Sequence, residues 1–406
     1  MAAVGEAAPP ERWLTPDLWS IGLSAFFSDM GYQVILGGFA LFMVGSLHSP
    51  VWAYGLAMAV LYGPGALWTY VGGRVGDRWG HRRVALWGNA LVPLMSLAGL
   101  AATPVAAVAP LAVGWWARNF RKPSRQAMLR QAVAPGRRGR AFGFLHTLDQ
   151  AGAVLAGLGL LWLLAAGFSF AVIFLLTAVP LGLSTVMLSR VRTAPSAPAP
   201  AGPAPGPGPA PSRAYRRVLV AAALYGFGSY SLGFPVLTVA QGTHSDALGI
   251  GAFVLYLAVS SATGTVYGRR TGGRLTELAG WGYGMAGLGS AGLAAAWALR
   301  WGVAGLYPAM GVLGFALGVV GTLEPTVVAR LVPARLAGRG FGGLSGARGL
   351  GLFSANVAMG VLYHVTPVSA YAYAAAIALA AMVLLATSSR RAPQAFATAK
   401  TDPAAP

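Results

Sequence analysis

The 406-residue chain has no cysteine. Disulfides and thiolate-held metal sites are therefore excluded, and nothing about redox compartment can be read from it. Charge is almost as scarce. Charged residues make up 10% of the chain, whereas a soluble domain uses roughly a quarter to cover its surface. Also missing are a Gly-x-Ser-x-Gly elbow and a phosphate-cradling Gly-Lys loop, so neither a hydrolase nor a nucleotide-driven machine is expected. No catalytic set, cofactor or metal site is expected either. The first sixteen residues carry Glu6, Glu11 and three prolines, without the basic-then-apolar pattern of a signal peptide.

What the chain has in abundance is apolar surface: 56% hydrophobic residues and a mean hydropathy of +0.62. A helix crosses a bilayer with ~20 apolar residues. Stretches of that kind are predicted at 17–46, 51–72, 84–102, 105–130, 140–165 and 168–190, and again at 215–242, 247–268, 275–299, 302–331, 339–364 and 366–389. They are continuously apolar, without the period-two alternation of a membrane barrel. The expectation is an all-α membrane protein of about twelve transmembrane helices in two pseudo-symmetric six-helix bundles.

The net charge of +19 invites a nucleic-acid reading, but the positions of the cations argue otherwise. Of the 29 Lys and Arg, only Arg300 falls on the side opposite the rest. Such asymmetry is the positive-inside rule. Both termini are expected in the cytoplasm, the membrane is expected to be the cell inner membrane, and no nucleic-acid partner is expected.

Residues 194–211 (APSAPAPAGPAPGPGPAP) cannot be helical and should form an extended tether. They divide the chain into a bundle at 1–190, a linker at 191–214 and a bundle with a short tail at 215–406. The halves repeat. Gly72-Gly73-Arg74-Val75 with Asp77 and Gly80 is mirrored by Gly272-Gly273-Arg274-Leu275 with Glu277 and Gly280, and Pro123 is answered by Pro325. Phe142-Gly143 is answered by Phe341-Gly342. Parallel repeats around a central path are a common plan of secondary transporters.

Between the second and third spans the chain reads Gly73-Arg74-Val75-Gly76-Asp77-Arg78-Trp79-Gly80-His81-Arg82-Arg83. This resembles the signature loop of the major facilitator superfamily, at the place where that family carries it. Phe27-Ser28-Asp29-Met30, Arg121-Lys122-Pro123-Ser124-Arg125 and Arg138 to Phe144 leading to Asp149 are similar to a bacterial permease, drug-efflux-like branch. Where that branch usually has acids, this chain has Gln33 and Gln126, and its fifth span lacks a Gly-Pro pair. The resemblance implies alternating access, with Gly73, Asp77, Arg78, Gly80, Arg82 and Arg83 as a conformational latch. Physically, the glycines suit a tight turn, Asp77 suits a helix N-terminus, and the arginines suit helix C-termini and lipid phosphates.

Ionisable groups at membrane depth are costly and usually functional. Asp29 lies near the middle of the first span. Arg118, Arg121 and Arg125 share one face of the fourth, with Arg121 and Asp149 expected at one level. Glu324 and Arg348 repeat the scheme with signs exchanged. Two readings stay open: buried pairs that fix packing, Asp149 with an arginine of the fourth span and Glu324 with Arg348, or an acid, Asp29 above all, that cycles a proton. Tyr32, Gln33, Trp115, Asn119, Gln150, Tyr225, Tyr230, Tyr256 and Asn356 are candidates to line a cavity. His48, His244 and His364 fall on outward loops. The glycine patterns of 282–292 mimic a dinucleotide fingerprint but lie inside an apolar span, which favours close helix packing. The function expected is proton-coupled export of a small, fairly apolar organic solute by a monomer in the lipid bilayer. A metal-ion or metal-chelate exporter is the alternative within transport, and a non-transporting sensor or scaffold the alternative outside it.

Overall fold

A computed structural model of the protein describes residues 14–134, 137–192, 213–269, 275–331 and 337–390. Among them every regular element is helical. The first half runs α1 (Pro16–Leu41), α2 (Val51–Tyr62), α3 (Gly65–Trp79), α4 (His81–Leu91), α5 (Pro104–Gln131), α6 (Arg138–Ala165), α7 (Phe170–Leu176) and α8 (Ala178–Ser189). The second runs α9 (Arg213–Gly228), α10 (Gly233–Thr243), α11 (Asp246–Arg269), α12 (Leu275–Glu277), α13 (Met285–Ala298), α14 (Gly302–Leu331), α15 (Ala337–Val365) and α16 (Pro367–Arg390).

Several of these join end to end into single membrane-crossing rods: α2 with α3, α7 with α8, α9 with α10. A π-helical turn at Leu278–Gly284 links α12 to α13, and a 3-10 stretch, Val92–Leu100, prolongs α4 behind Pro93. Nine rods among the described residues are long and apolar enough to cross a membrane. The other three are α5, α12 with α13, and α15. Cations in α5 and α15, and the glycine run of 280–292, lower their hydropathy. The chain is a multi-pass membrane protein. Local chemistry sets the starts: Thr15, Thr103 and Ser169 accept hydrogen bonds from the N–H groups of Leu18, Ala106 and Val172. Pro16, Pro104 and Pro367 occupy first-turn positions where no donor is needed.

The signature segment departs from its expected form. The second span does not end at 72; α3 stays helical to Trp79, so Gly73 and Gly76 lie within a helix. Gly80 alone makes the turn, at φ +91°, before α4 begins at His81. The neighbouring glycines do something else: a Cβ at Gly72 would strike the backbone carbonyl of Phe120, and one at Gly76 the Ser124 hydroxyl. They let α3 lie directly against α5. The proline-rich tether of 194–211, the repeat residues 272–274 and the tail beyond 390 lie outside the described residues.

The two ends of the molecule are packed differently. At the end bearing His48 and His244, here the far end, one apolar cluster includes Phe39, Tyr54 and Leu160 from the first half and Phe234, Phe253 and Tyr371 from the second. At the basic end there are two separate clusters. Leu18, Met128 and Leu188 belong to the first half, and Tyr283, Val320 and Leu385 to the second. The halves are joined at the far end, each with its own core at the basic end.

Candidate functional site

Where the shared core gives way to the separate ones lies a cavity of ≈ 410 Å³ between the halves. The first half lines it with Tyr32, Gln33, Tyr62, Trp115 and Arg118. The second contributes Tyr225, Tyr230, Phe253, Tyr256 and Arg348, together with the backbone from Gly228 to Leu232. That backbone is a break in the helix. The chain leaves α9 at Gly228 and re-enters helix at Gly233, and Asn356 Oδ1 accepts the Ser231 N–H at 2.9 Å. Irregular backbone at membrane depth is tolerated where it borders a cavity and its polar groups find partners.

Each half places one arginine on the cavity wall with a carboxylate behind it. Arg118 Nη2 stands 3.8 Å from Asp29 Oδ1 and donates to the Tyr32 hydroxyl at 2.7 Å. Its guanidinium lies over the rings of Tyr32, at 4.3 Å, and Trp115, at 4.8 Å. Opposite, Arg348 Nη1 stands 2.9 Å from Glu324 Oε2, and Tyr283 donates to Oε1 of the same carboxylate at 2.6 Å. Tyr225 stacks on Tyr283 with ring centroids 4.4 Å apart. The carboxylates are buried, at 7% and 0% exposure, while the arginines are 21% and 33% exposed.

Behind Arg118 the first half holds a larger charge cluster. Asp149 of α6 neighbours Asp29 and stands 3.7 Å from Arg125 Nη2. Arg125, not Arg121, is the α5 arginine nearest Asp149, because it lies a turn further toward the end where α6 begins. Arg121 points into the bundle, where Nη2 donates to Ser28 at 2.5 Å and its stem packs on Gly88. Three of the residues expected to line the cavity do not. Asn119 turns back to donate to the Trp115 carbonyl. Asn356 is fully buried, donating to the Leu352 carbonyl while it caps Ser231. Gln150 is half-buried on α6, away from the cavity wall. Polar residues in apolar helices satisfy backbone groups as readily as they face a cavity.

At the basic end, Arg82 grips the last turn of α8, donating to the carbonyls of Ser189 at 2.8 Å and Val191 at 2.9 Å. Asp77 is 77% exposed and stands 3.6 Å from Nε2 of His81, the first residue of α4. At the far end His48 and His244 adopt left-handed backbone conformations, and His364 lies in the last turn of α15. Sequence reasoning missed Tyr62, Phe253 and the 228–232 break. The run Gly228-Ser229-Tyr230-Ser231 inside an apolar stretch is the signal that could have found the last of these.

A family model described as Major Facilitator Superfamily matches residues 21–356. No curated protein matches the chain. Among solved structures, a transporter of the POT family in complex with a thioalcohol-conjugated peptide superposes with a TM-score of 0.76 at 11% identity, covering 93% of this chain and 96% of that one. A mutant of the peptide transporter POT gives 0.72 at 17%, covering 93% and 94%. A mutant of the nucleoside transporter NupG gives 0.71 at 13%, covering 92% and 99%. At these identities the likeness is one of fold.

Proposed function

Because this chain belongs to the major facilitator superfamily, we propose that it is a secondary transporter that carries a small organic solute through the central cavity by alternating access. One observation carries the reading: the cavity lies between the halves, sealed at the far end by a shared core and flanked at the basic end by separate ones. Two bundles, 1–190 and 215–406, rocking about the cavity would open it to each side in turn. The basic end is taken as cytoplasmic, with both termini there and the protein a monomer in the inner membrane.

The proposed coupling ion is the proton, and the proposed direction is export. Asp29 supports the first: it is a buried acid whose arginine, 3.8 Å away, also faces the solute cavity. A solute that draws Arg118 aside would leave Asp29 free to take a proton. A cavity flanked by separate cores at the cytoplasmic side is the state in which an exporter loads. The lining of Tyr32, Tyr62, Trp115 and Tyr256 suits a solute with an apolar body. The test is reconstitution into proteoliposomes holding a pH-sensitive dye. Solute added to the basic face should discharge an imposed proton gradient; no discharge with any solute class would defeat the proposal.

A further inference from the structure

The charges around the cavity do not cancel. On α5, Arg118, Arg121, Lys122 and Arg125 lie within two turns. Among the described residues the carboxylates that face them are Asp29 and Asp149. Arg118, Arg121 and Arg125 against Asp29 and Asp149 leave an excess of one positive charge inside the bundle, with Lys122 exposed beside it, while Arg348 and Glu324 cancel. Nε and Nη1 of both Arg121 and Arg125 are buried without a hydrogen-bond partner. Unpaired charge in such a place is expensive, and negative charge brought into the neighbouring cavity would offset part of it.

Of these four cations, Arg118 reaches the cavity wall. Trp115, Arg118 and Lys122 follow an i, i+3, i+7 spacing and so share one face of α5; the first two line the cavity, and Lys122, nearer the basic end, is exposed. Lys122 and Arg118 thus form a cationic approach, with Arg348 across the cavity. The carboxylates sit behind their arginines, so an entering molecule meets guanidinium and aromatic surface. We infer that the solute is an organic anion with a flat apolar body, its acidic group held between Arg118 and Arg348 and its body among the cavity aromatics. Charge-assisted bonds from an arginine fork suit a carboxylate, sulfonate or phosphonate. Bridging one arginine from each half would also draw the halves together. The inference rests on the transport reading for the identity of the site, but its test separates the two.

Three probes share one body and differ in charge: naphthalenesulfonate, naphthalenesulfonamide and naphthylmethylamine. Thermal unfolding of the purified full-length protein reports binding by mass action. The sulfonate should bind about tenfold or more tightly than the neutral and cationic probes, and added salt should weaken it alone. Arg348→Gln should weaken sulfonate binding by about tenfold or more while leaving the sulfonamide within about twofold; Arg348→Lys should recover part. Lys122→Gln, at an exposed position, should bind the sulfonate about twofold more weakly at low salt and equally at high salt. Equal or tighter binding of the sulfonamide or the amine, or no shift with any probe, overturns the inference. Counterflow in proteoliposomes then divides the readings. Exchange of the neutral or cationic probe without the sulfonate leaves transport standing and removes the anion. Binding of the sulfonate without exchange of any probe does the reverse.

Discussion

The Tyr54 hydroxyl, from the first half, and the Ser231 hydroxyl, from the second, share a hydrogen bond of 2.6 Å in the far-end core. It ties α2 to the helix break that borders the cavity, so the far-end seal and the solute site meet at Ser231. A net hydrogen bond is worth about 1 kcal/mol, and losing one should shift a two-state balance about fivefold. Tyr54→Phe removes the hydroxyl and keeps the ring against Phe234. With Leu232→Cys as reporter, in a chain that has no cysteine of its own, labelling by an impermeant thiol reagent from the far side should rise about fivefold. An unchanged rate would mean the bond plays no part in the seal.

Glu324 is held by Arg348 and Tyr283 with no exposed surface. Glu324→Gln keeps a partner for Tyr283 but leaves Arg348 without its counter-charge. Breaking a buried pair from one side costs about 3–5 kcal/mol, so the unfolding temperature should drop by several degrees. Combining Glu324→Gln with Arg348→Gln should recover a large part of the loss. Additive losses in that cycle would show that the two side chains do not act as a pair.

Asp29 separates two roles. If it carries the coupling proton, Asp29→Asn abolishes gradient-driven transport and spares solute exchange, which needs no net protonation cycle. If it only holds Arg118 in place, the folded yield falls together with both activities. Both activities intact at normal yield would remove Asp29 from the mechanism.

Asp77 is largely exposed, and its ion-pair partner is His81, at the start of α4. Asp77→Asn should therefore change thermal stability by less than about 0.5 kcal/mol, yet slow transport if the residue finds its helix-end partner when the basic end closes. Turnover equal to the parent protein would leave the segment as a topology signal alone.

Much of the architecture is readable from residue order, and the reasons differ by element. Long apolar runs and one-sided arginines specify rods and their alternation, because lipid penalises every other arrangement. The i, i+3, i+7 arginines of α5 share a face simply because helices have 3.6 residues per turn. Directions of single polar side chains are another matter. Asn119 and Asn356 look alike in sequence to cavity residues, but each turns to a nearby backbone group, a choice made by neighbouring helices. Gly73 and Gly76 read as loop formers and lie in a helix, and at Gly76, as at Gly72, α5 comes too close for a larger residue. Lys122 shows little in sequence; its importance follows only from the wall on which Trp115 and Arg118 stand.

Where α2 meets α15, backbone touches backbone: Gly55 lies against Gly360 and the Asn356 carbonyl, so that a Cβ on Gly55 would collide with the other helix and one on Gly360 would press tightly on it. Helices that meet without interlocking side chains have no teeth to hold them in register. At the Gly55–Gly360 crossing such a contact works as a smooth bearing, on which one helix can roll through small angles with little side-chain rearrangement. Resistance to motion must then come from elsewhere along the seam, chiefly from polar links such as Tyr54 to Ser231. A side chain at Gly55 or Gly360 would act less like a lost bond than like grit in a joint, stiffening the pivot while leaving the solute site untouched.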